Sequence, residues 1–127
     1  MYNLRMQQIR EALAKALKNV YVSVADHDIH LEHTDDLSHG DYATNAALSY
    51  AKQLKMNPKE LAEKLAAEVR EIEGVANVEV AGPGFINFTL APDCLAQALE
   101  EGRANPDEWG GSPLYRGKKI LLEYTDP

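Results

Sequence analysis

The pattern of apolar and polar positions predicts two helices in the first half of the chain. Apolar residues recur at helical spacing near the start, which indicates a helix over residues 3–19. A second helix is predicted after Gly40, with Asp41 as its N-cap and a narrow stripe of small residues that lets it lie close to a neighbouring element. This stripe consists of Ala43, Ala46, Ala47, Tyr50, Ala51 and Leu54.

A third helix has the clearest start signals. Asn57 is its predicted N-cap, Pro58 takes the first helical position, and Glu60 completes a capping box. Gly74 is predicted to end this helix. The core face carries Leu61, Leu65, Val69 and Ile72.

Residues 20–41 predict two short strands and a polar loop. Alternation over residues 20–24 indicates one strand, and Ile29 with Leu31 indicates another, with His30 and Glu32 facing outward. All four histidines lie among six acidic groups in residues 26–41 (DHDIHLEHTDDLSHGD). Their spacing matches no familiar metal-ligand pattern, and no cysteine assists. We therefore interpret this segment as a solvated acidic strand and loop, and predict no metal site.

The second half of the chain predicts a β-hairpin and a further helix. An alternating strand containing Val78 and Val80 is joined by the turn at residues 82–84 to a second strand over residues 85–90. A short helix follows and is predicted to stop at Gly102. These elements together predict an α+β fold, a two-layer sandwich in which a small antiparallel sheet has helices packed on one face.

Three parts of the chain are predicted from these elements. Residues 1–104 form the α+β domain, and residues 105–118, rich in Gly and Pro, form a linker. Residues 119–127 begin with an apolar run, which is typical of a strand buried on both faces in a larger α/β domain. This last segment therefore predicts the start of a second domain.

The returning strand of the hairpin presents a candidate binding site. Its alternate residues form a wholly apolar set that must face the helices: Ile86, Phe88 and Leu90. Phe85 and Asn87 then lie on the solvent side, just past the compact turn of Gly82, Pro83 and Gly84. The ring could stack on an unstacked base, and the amide could read a base edge. Residue types alone leave a second interpretation open, in which Phe85 covers the sheet edge and Asn87 belongs to ordinary turn chemistry.

Composition limits how the chain could bind nucleic acid. The net charge is −7, and no Lys or Arg lies between residues 75 and 92, whereas phosphate neutralisation needs clustered cations. Base contact is therefore the only nucleic-acid mode that this hairpin supports, and DNA binding is not expected. The 127 residues suit one soluble domain, without a membrane span or signal core. A single cysteine, Cys94, excludes an internal disulfide, and we expect a cytoplasmic protein.

Three segments together resemble the arginyl-tRNA synthetase family of class I synthetases. Residues 39–47 (HGDYATNAA) resemble the family's segment opening the second helix, and residues 81–88 (AGPGFINF) resemble its hairpin motif. Residues 120–127 (ILLEYTDP) are similar to the strand that leads the family's catalytic domain. The resemblance covers essentially the whole chain, and the three segments occur in the same order as in the family. One departure is that Thr125 and Asp126 stand where many members have two serines.

The resemblance implies a specific role for the hairpin. Members activate arginine with ATP and Mg²⁺ and transfer it to the 3′ end of tRNA(Arg). Their N-terminal additional domain contacts a D-loop base at the outer corner of the tRNA. The aromatic and amide that make this contact match Phe85 and Asn87, and the turn of Gly82, Pro83 and Gly84 belongs to the same tRNA-binding motif.

The resemblance also implies what lies outside this chain. The family's Glu that helps to bind the arginine guanidinium matches Glu123, as part of an incomplete site. No His-x-Gly-His signature occurs in the 127 residues, so we expect a fragment that has no catalytic residue or cofactor of its own and is inactive alone. Family members are mostly monomers. The alternative is a protein-interaction domain that docks through the hairpin of residues 78–90.

Overall fold

The computed structural model describes residues 2–20, 25, 28–111 and 116–123, with side chains described from Arg5 onwards. In chain order the elements are α1 (Tyr2–Asn19), β1 (Leu31–His33), β2 (Tyr42–Thr44), α2 (Ala46–Leu54), α3 (Pro58–Val69), β3 (Val75–Ala81), β4 (Phe85–Leu90) and α4 (Pro92–Ala104), with a 3-10 helix at Leu37–His39. Apart from Val20, the strand predicted over residues 20–24 lies outside the described residues. The same is true of residues 124–127.

The four described strands form one antiparallel sheet in the order β1-β2-β4-β3. Strand β4 is therefore central, with Phe88 opposite Tyr42 on one side and Val78 on the other. Its apolar set is fully buried against the helices, with Ile86 and Phe88 at 0% exposure. The predicted α+β fold is confirmed, and so is the hairpin of β3 and β4.

Helices α1, α2 and α3 supply the other layer of the core. Leu13 and Leu17 of α1 are buried in it, as are Leu61 and Leu65 of α3. Alanines on α2 are buried in the same cluster, which allows the close approach predicted from their small size. Among the described residues, no helix combines the length and apolar character that a membrane crossing requires.

Helix α3 begins as predicted but ends earlier. The Asn57 side chain accepts a hydrogen bond from the Lys59 N–H at 2.9 Å, with Pro58 in the first turn. The helix ends at Val69, so the prediction that Gly74 ends it is wrong. Gly74 instead has a φ of +82° immediately before β3, where the chain turns into the sheet.

The predicted start of the second helix is also wrong. Helix α2 begins at Ala46, and residues 42–44 form a strand. The Ala46 N–H donates to the Thr44 hydroxyl at 3.2 Å, and that hydroxyl donates to the His30 carbonyl at 2.6 Å. Thr44, rather than Asp41, therefore supplies the side-chain cap at the start of α2.

Asp41 holds the central strand instead. Its N–H donates to the Phe88 carbonyl at 2.7 Å, and its carboxylate accepts from the Leu90 N–H at 2.7 Å. Gly40 passes so close to β4 that a Cβ on it would lie 2.5 Å from the Phe88 oxygen, and its φ is +81°. We refer to this attachment of Gly40 and Asp41 to β4 as the Asp41 clip.

Helix α4 runs past its predicted end. It extends to Ala104, so Gly102 lies inside it and does not stop it. A Cβ on Gly102 would lie 2.7 Å from the Trp109 ring, so the glycine allows that ring to pack on the helix. Residues 118–123 have no regular secondary structure, with Leu121 90% exposed. The predicted strand of a following domain stays a prediction.

We expect Asp41→Ala to destabilise the domain by about 1.5–3 kcal/mol, because it removes a charged acceptor and leaves the Leu90 N–H without its partner. Urea unfolding measured by circular dichroism tests this value. Asp35→Ala is the matched control, since Asp35 is an exposed carboxylate in the same loop. Equal stability of the two variants would show that the Asp41 clip does not anchor β4.

Candidate nucleic-acid interface

The turn between β3 and β4 is fixed against the start of α3. Gly82 and Gly84 have φ values of +55° and +147°, which favour glycine at both positions. A Cβ on Gly84 would lie 3.1 Å from both the Cβ and the carbonyl oxygen of Pro58. The turn therefore rests directly on the first residue of the helix, which fixes the position of the strand that follows it.

A groove of about 710 Å³ lies on the sheet face opposite the helices. Ala43 and Asn87, which are paired across β2 and β4, form its floor. Phe85, Gly82 and Pro83 form one wall, and the segment of residues 32–39 contributes the other. The volume falls within the roughly 300–1,000 Å³ that is usual for small-ligand sites.

Phe85 keeps the exposure that alternation predicts. It is 38% exposed, and one edge of its ring faces Gly82, where a Cβ would lie 3.9 Å from the Phe85 Cδ2 atom. Phe85 pairs with Ala81 of β3, and the next residue, Ile86, pairs with both β2 and β3, so the sheet holds the backbone that carries this ring. A preformed aromatic surface therefore stands at the edge of the groove.

Asn87 lies on the predicted face of β4 but is not open to solvent. It is only 9% exposed, because β2 and β3 flank it and the segment of residues 32–39 rises beside it. Within the part of the chain that the structure describes, the Asn87 side chain makes no hydrogen bond with another residue. The residue is thus nine-tenths buried, while its side-chain amide opens onto the groove and can both donate and accept a hydrogen bond there.

The second wall of the groove is acidic. It contains the carboxylates of Glu32, Asp35 and Asp36. A backbone hydrogen bond from the Ser38 N–H at 2.8 Å lowers the pKa of Asp36, so this group is ionised at neutral pH. His39 lies in the same wall. Since no Lys or Arg lines the groove, its field disfavours a phosphate inside it.

The histidines of this region do not assemble a metal centre among the described residues. No group of three or more metal-ligating side chains is found there. The exposed His30 lies 3.4 Å from Glu32, and the His33 ring packs on Tyr42 with 4.8 Å between ring centroids. Glu123, the predicted guanidinium ligand, is exposed and does not line the groove.

Residues 7–90, more than half of the chain, match the family model described as the arginyl tRNA synthetase N terminal domain. The chain belongs to this family. It is 52% identical over 118 residues to the arginine–tRNA ligase of Aromatoleum aromaticum, covering 93% of the chain and 20% of that relative. It is 39% identical over 123 residues to the arginine–tRNA ligase of an Anaeromyxobacter species, and this match covers 94% of the chain and 20% of that relative.

Solved structures of arginyl-tRNA synthetases have a similar fold. The Thermus thermophilus enzyme matches with a TM-score of 0.59 and 30% identity, over 71% of this chain and 15% of that one. The Plasmodium falciparum enzyme matches in fold with a TM-score of 0.62 at 20% identity, over 91% of this chain and 19% of that one. The chain thus spans about a fifth of the length of the curated relatives it matches.

Sequence reasoning identified one wall of the groove and missed the other. Phe85, Asn87, Gly82 and Pro83 line the same groove, whereas Gly84 faces Pro58. The sequence does not predict the contribution of residues 32–39, because their pattern indicates only a solvated strand and loop. The one sequence feature that marks this wall is the concentration of charged groups beside Gly40. The close approach of Gly40 to β4 depends on tertiary structure and is not visible in the sequence.

We expect Gly84→Ala to destabilise the domain by roughly 2–5 kcal/mol, because the added methyl group meets Pro58 while the backbone has a positive φ. Gly82→Ala is the matched control in the same turn, where positive φ alone should cost about 1–2 kcal/mol. Urea unfolding of both variants measures the difference. If the two substitutions cost the same, the contact with Pro58 does not fix the turn.

Proposed function

We propose that this chain is the tRNA-contacting N-terminal domain of an arginine–tRNA ligase, and that an unstacked D-loop base of tRNA(Arg) enters the groove. In this proposal the base stacks on Phe85 and forms hydrogen bonds with Asn87. Asn87 and the exposed ring of Phe85 line the same groove, and this pairing is the observation that carries the proposal. The Asn87 amide can donate and accept, so it can pair with a group that enters the groove.

The chemistry of the two residues favours a base over other ligands. Stacking on an aromatic ring contributes about 1–3 kcal/mol per base and works with any base. The Asn87 amide both donates and accepts, so it can pair with the edge that a single-stranded loop leaves open. Since the sheet already holds both residues in place, little conformational entropy is lost on binding.

The acidic wall adds selectivity to this contact. Carboxylates at Glu32, Asp35 and Asp36 repel phosphates, so the RNA backbone is kept outside while a neutral base can enter. A site that rejects the wrong part of its partner gains specificity by repulsion as well as by attraction. The net charge of −7 is therefore compatible with a contact that reads a base.

The rest of the proposed ligase lies outside this domain. Residues 105–118 link it to a catalytic domain whose first strand begins near residue 119 and contributes Glu123 to the arginine site. We assign ATP, Mg²⁺ and arginine activation to that domain, because the relatives that the chain matches are arginine–tRNA ligases of which it covers only about a fifth. The same proposal has the ligase acting as a cytoplasmic monomer.

Substitution of Phe85 tests the stacking contact. In the full-length ligase we expect Phe85→Ala to raise the Kd for tRNA(Arg) by about 5- to 150-fold, which is the loss of one stacked base. Phe85→Tyr keeps the π-face and should bind nearly as the parent enzyme does. Fluorescence anisotropy with labelled tRNA measures both, with circular dichroism as the check on folding. Unchanged affinity of Phe85→Ala would support the alternative that the hairpin docks onto a protein.

Substitution of Asn87 tests the base-edge contact separately. We expect Asn87→Ala to leave the stability of the domain within about 1 kcal/mol of the parent, since no internal hydrogen bond is lost. The same variant should raise the Kd for tRNA(Arg) by roughly 5- to 30-fold. Asn77→Ala, an exposed Asn on the neighbouring strand β3, is the control and should change neither value. A large loss of stability in Asn87→Ala would instead assign the amide a structural role.

A further inference from the structure

The positive charges of this chain are segregated from its sheet. Of the 13 Lys and Arg residues, none falls in residues 19–51 or 71–102, which include all four described strands. The cations lie in α1, in α2 and α3 with the residues that join them, at Arg70 just after α3, and from Arg103 onwards. A domain with a net charge of −7 therefore has local surfaces of both signs.

One group of cations lies beside the hairpin turn. Pro58 contacts Gly84, and Lys59 follows Pro58 directly, so the Cα atoms of Lys59 and Pro58 are about 3.8 Å apart. Lys55 precedes Pro58 by three residues, which places its Cα within about 11 Å of Pro58. Both lysine side chains are exposed. The junction of α2 and α3 thus carries two exposed lysines close to the residue that contacts the turn, whereas the carboxylates of the groove lie in residues 32–39.

Lys55 occupies a backbone conformation that does not suit lysine. Its φ and ψ are 52° and 39°, and it is the one non-glycine residue with a positive φ among those that the structure describes. Its N–H caps α2 by donating to the carbonyls of Ala51 and Lys52. Glycine is the usual residue at such a left-handed cap, because it has no Cβ to clash. A lysine here is unfavourable for the backbone, which indicates that the side chain has a role of its own.

We propose that Lys55 and Lys59 bind the phosphate backbone of the tRNA segment whose base enters the groove. This inference rests on the proposed function and extends it from the base to the strand that carries the base. The turn of residues 82–84 would then separate the two parts of the contact. Phosphates lie on the lysine side, and the base crosses the turn to reach Phe85 and Asn87.

The lysines near the turn and the carboxylates of the groove carry opposite charges, which gives the proposed contact a direction. A strand placed the other way round would bring its phosphates against Asp35 and Asp36 and leave both lysines without a partner. Charged groups at an interface fix its orientation and exclude wrong arrangements in this way. The two lysines are therefore expected to position the strand, while Phe85 and Asn87 read the base.

The salt dependence of tRNA binding by the full-length ligase tests this inference. We expect Lys55→Ala and Lys59→Ala each to raise the Kd for tRNA(Arg) about two- to fivefold. Each should also reduce the slope of log Kd against log salt concentration by roughly 0.7–0.9, which is the loss of one phosphate contact. Lys64→Ala is the matched control, since Lys64 is exposed on the same helix but lies about 140° round it from Lys59.

Lys55→Gly separates binding from folding. Because glycine suits the left-handed cap, this variant should unfold at a higher urea concentration than the parent protein. It should nevertheless bind tRNA(Arg) as weakly as Lys55→Ala does, with the same reduced salt slope. Weaker binding by a more stable protein cannot be ascribed to unfolding.

The outcomes distinguish this inference from the proposed function. Phe85→Ala should weaken binding without changing the salt slope, because the ring carries no charge. If Phe85→Ala weakens binding while the Lys55 and Lys59 variants match Lys64→Ala in both Kd and slope, the phosphate contact is refuted and the base contact stands. If Phe85→Ala binds as the parent does, the proposed function fails, and the inference that rests on it fails as well.

Discussion

The attachment of Asp41 to the central strand is the constraint on which the groove depends. Two short hydrogen bonds, one from its N–H and one to its carboxylate, fix it to the backbone of Phe88 and Leu90. Gly40 allows the approach, since no Cβ would fit against the Phe88 carbonyl. The loop that precedes Gly40 is thereby held beside the open face of the sheet. The second wall of the groove, and with it the burial of Asn87, follows from this attachment.

The turn of residues 82–84 connects this groove to the helical layer. Gly84 allows the turn to rest on Pro58, so the hairpin is in direct contact with the start of α3. The chain segment that carries Lys55 and Lys59 consequently lies close to the turn. The net charge of the chain therefore does not predict what binds near the turn. The local charge there determines whether a phosphate or a neutral base is attracted.

The sequence predicts those parts of the fold in which local pattern and tertiary structure agree. Residues 85–90 were assigned correctly because a central strand with one apolar face alternates strictly. Residues 42–44 were missed as a strand because three residues cannot display a period, and their pairing with β4 spans more than 40 positions. Asp41 is a residue type that commonly begins a helix, so the sequence does not distinguish that role from the attachment to β4 that the structure shows. The sequence predicts a stop at Gly102 because the contact of this glycine with Trp109 exists only after folding.

The candidate site was predictable in its residues but not in its depth. The alternation of apolar residues in β4 predicts the face on which Asn87 lies. It does not predict that Asn87 is buried, because the loop of residues 32–39 lies beside it only in the folded chain. One local rule is broken near the same turn, since Lys55 occupies a backbone conformation suited to glycine. Proteins tolerate such violations mainly where function requires them. The proposed nucleotide contact gives this lysine a reason to be there, because the contact uses a side chain that glycine would lack and lies beside the groove that Phe85 and Asn87 line.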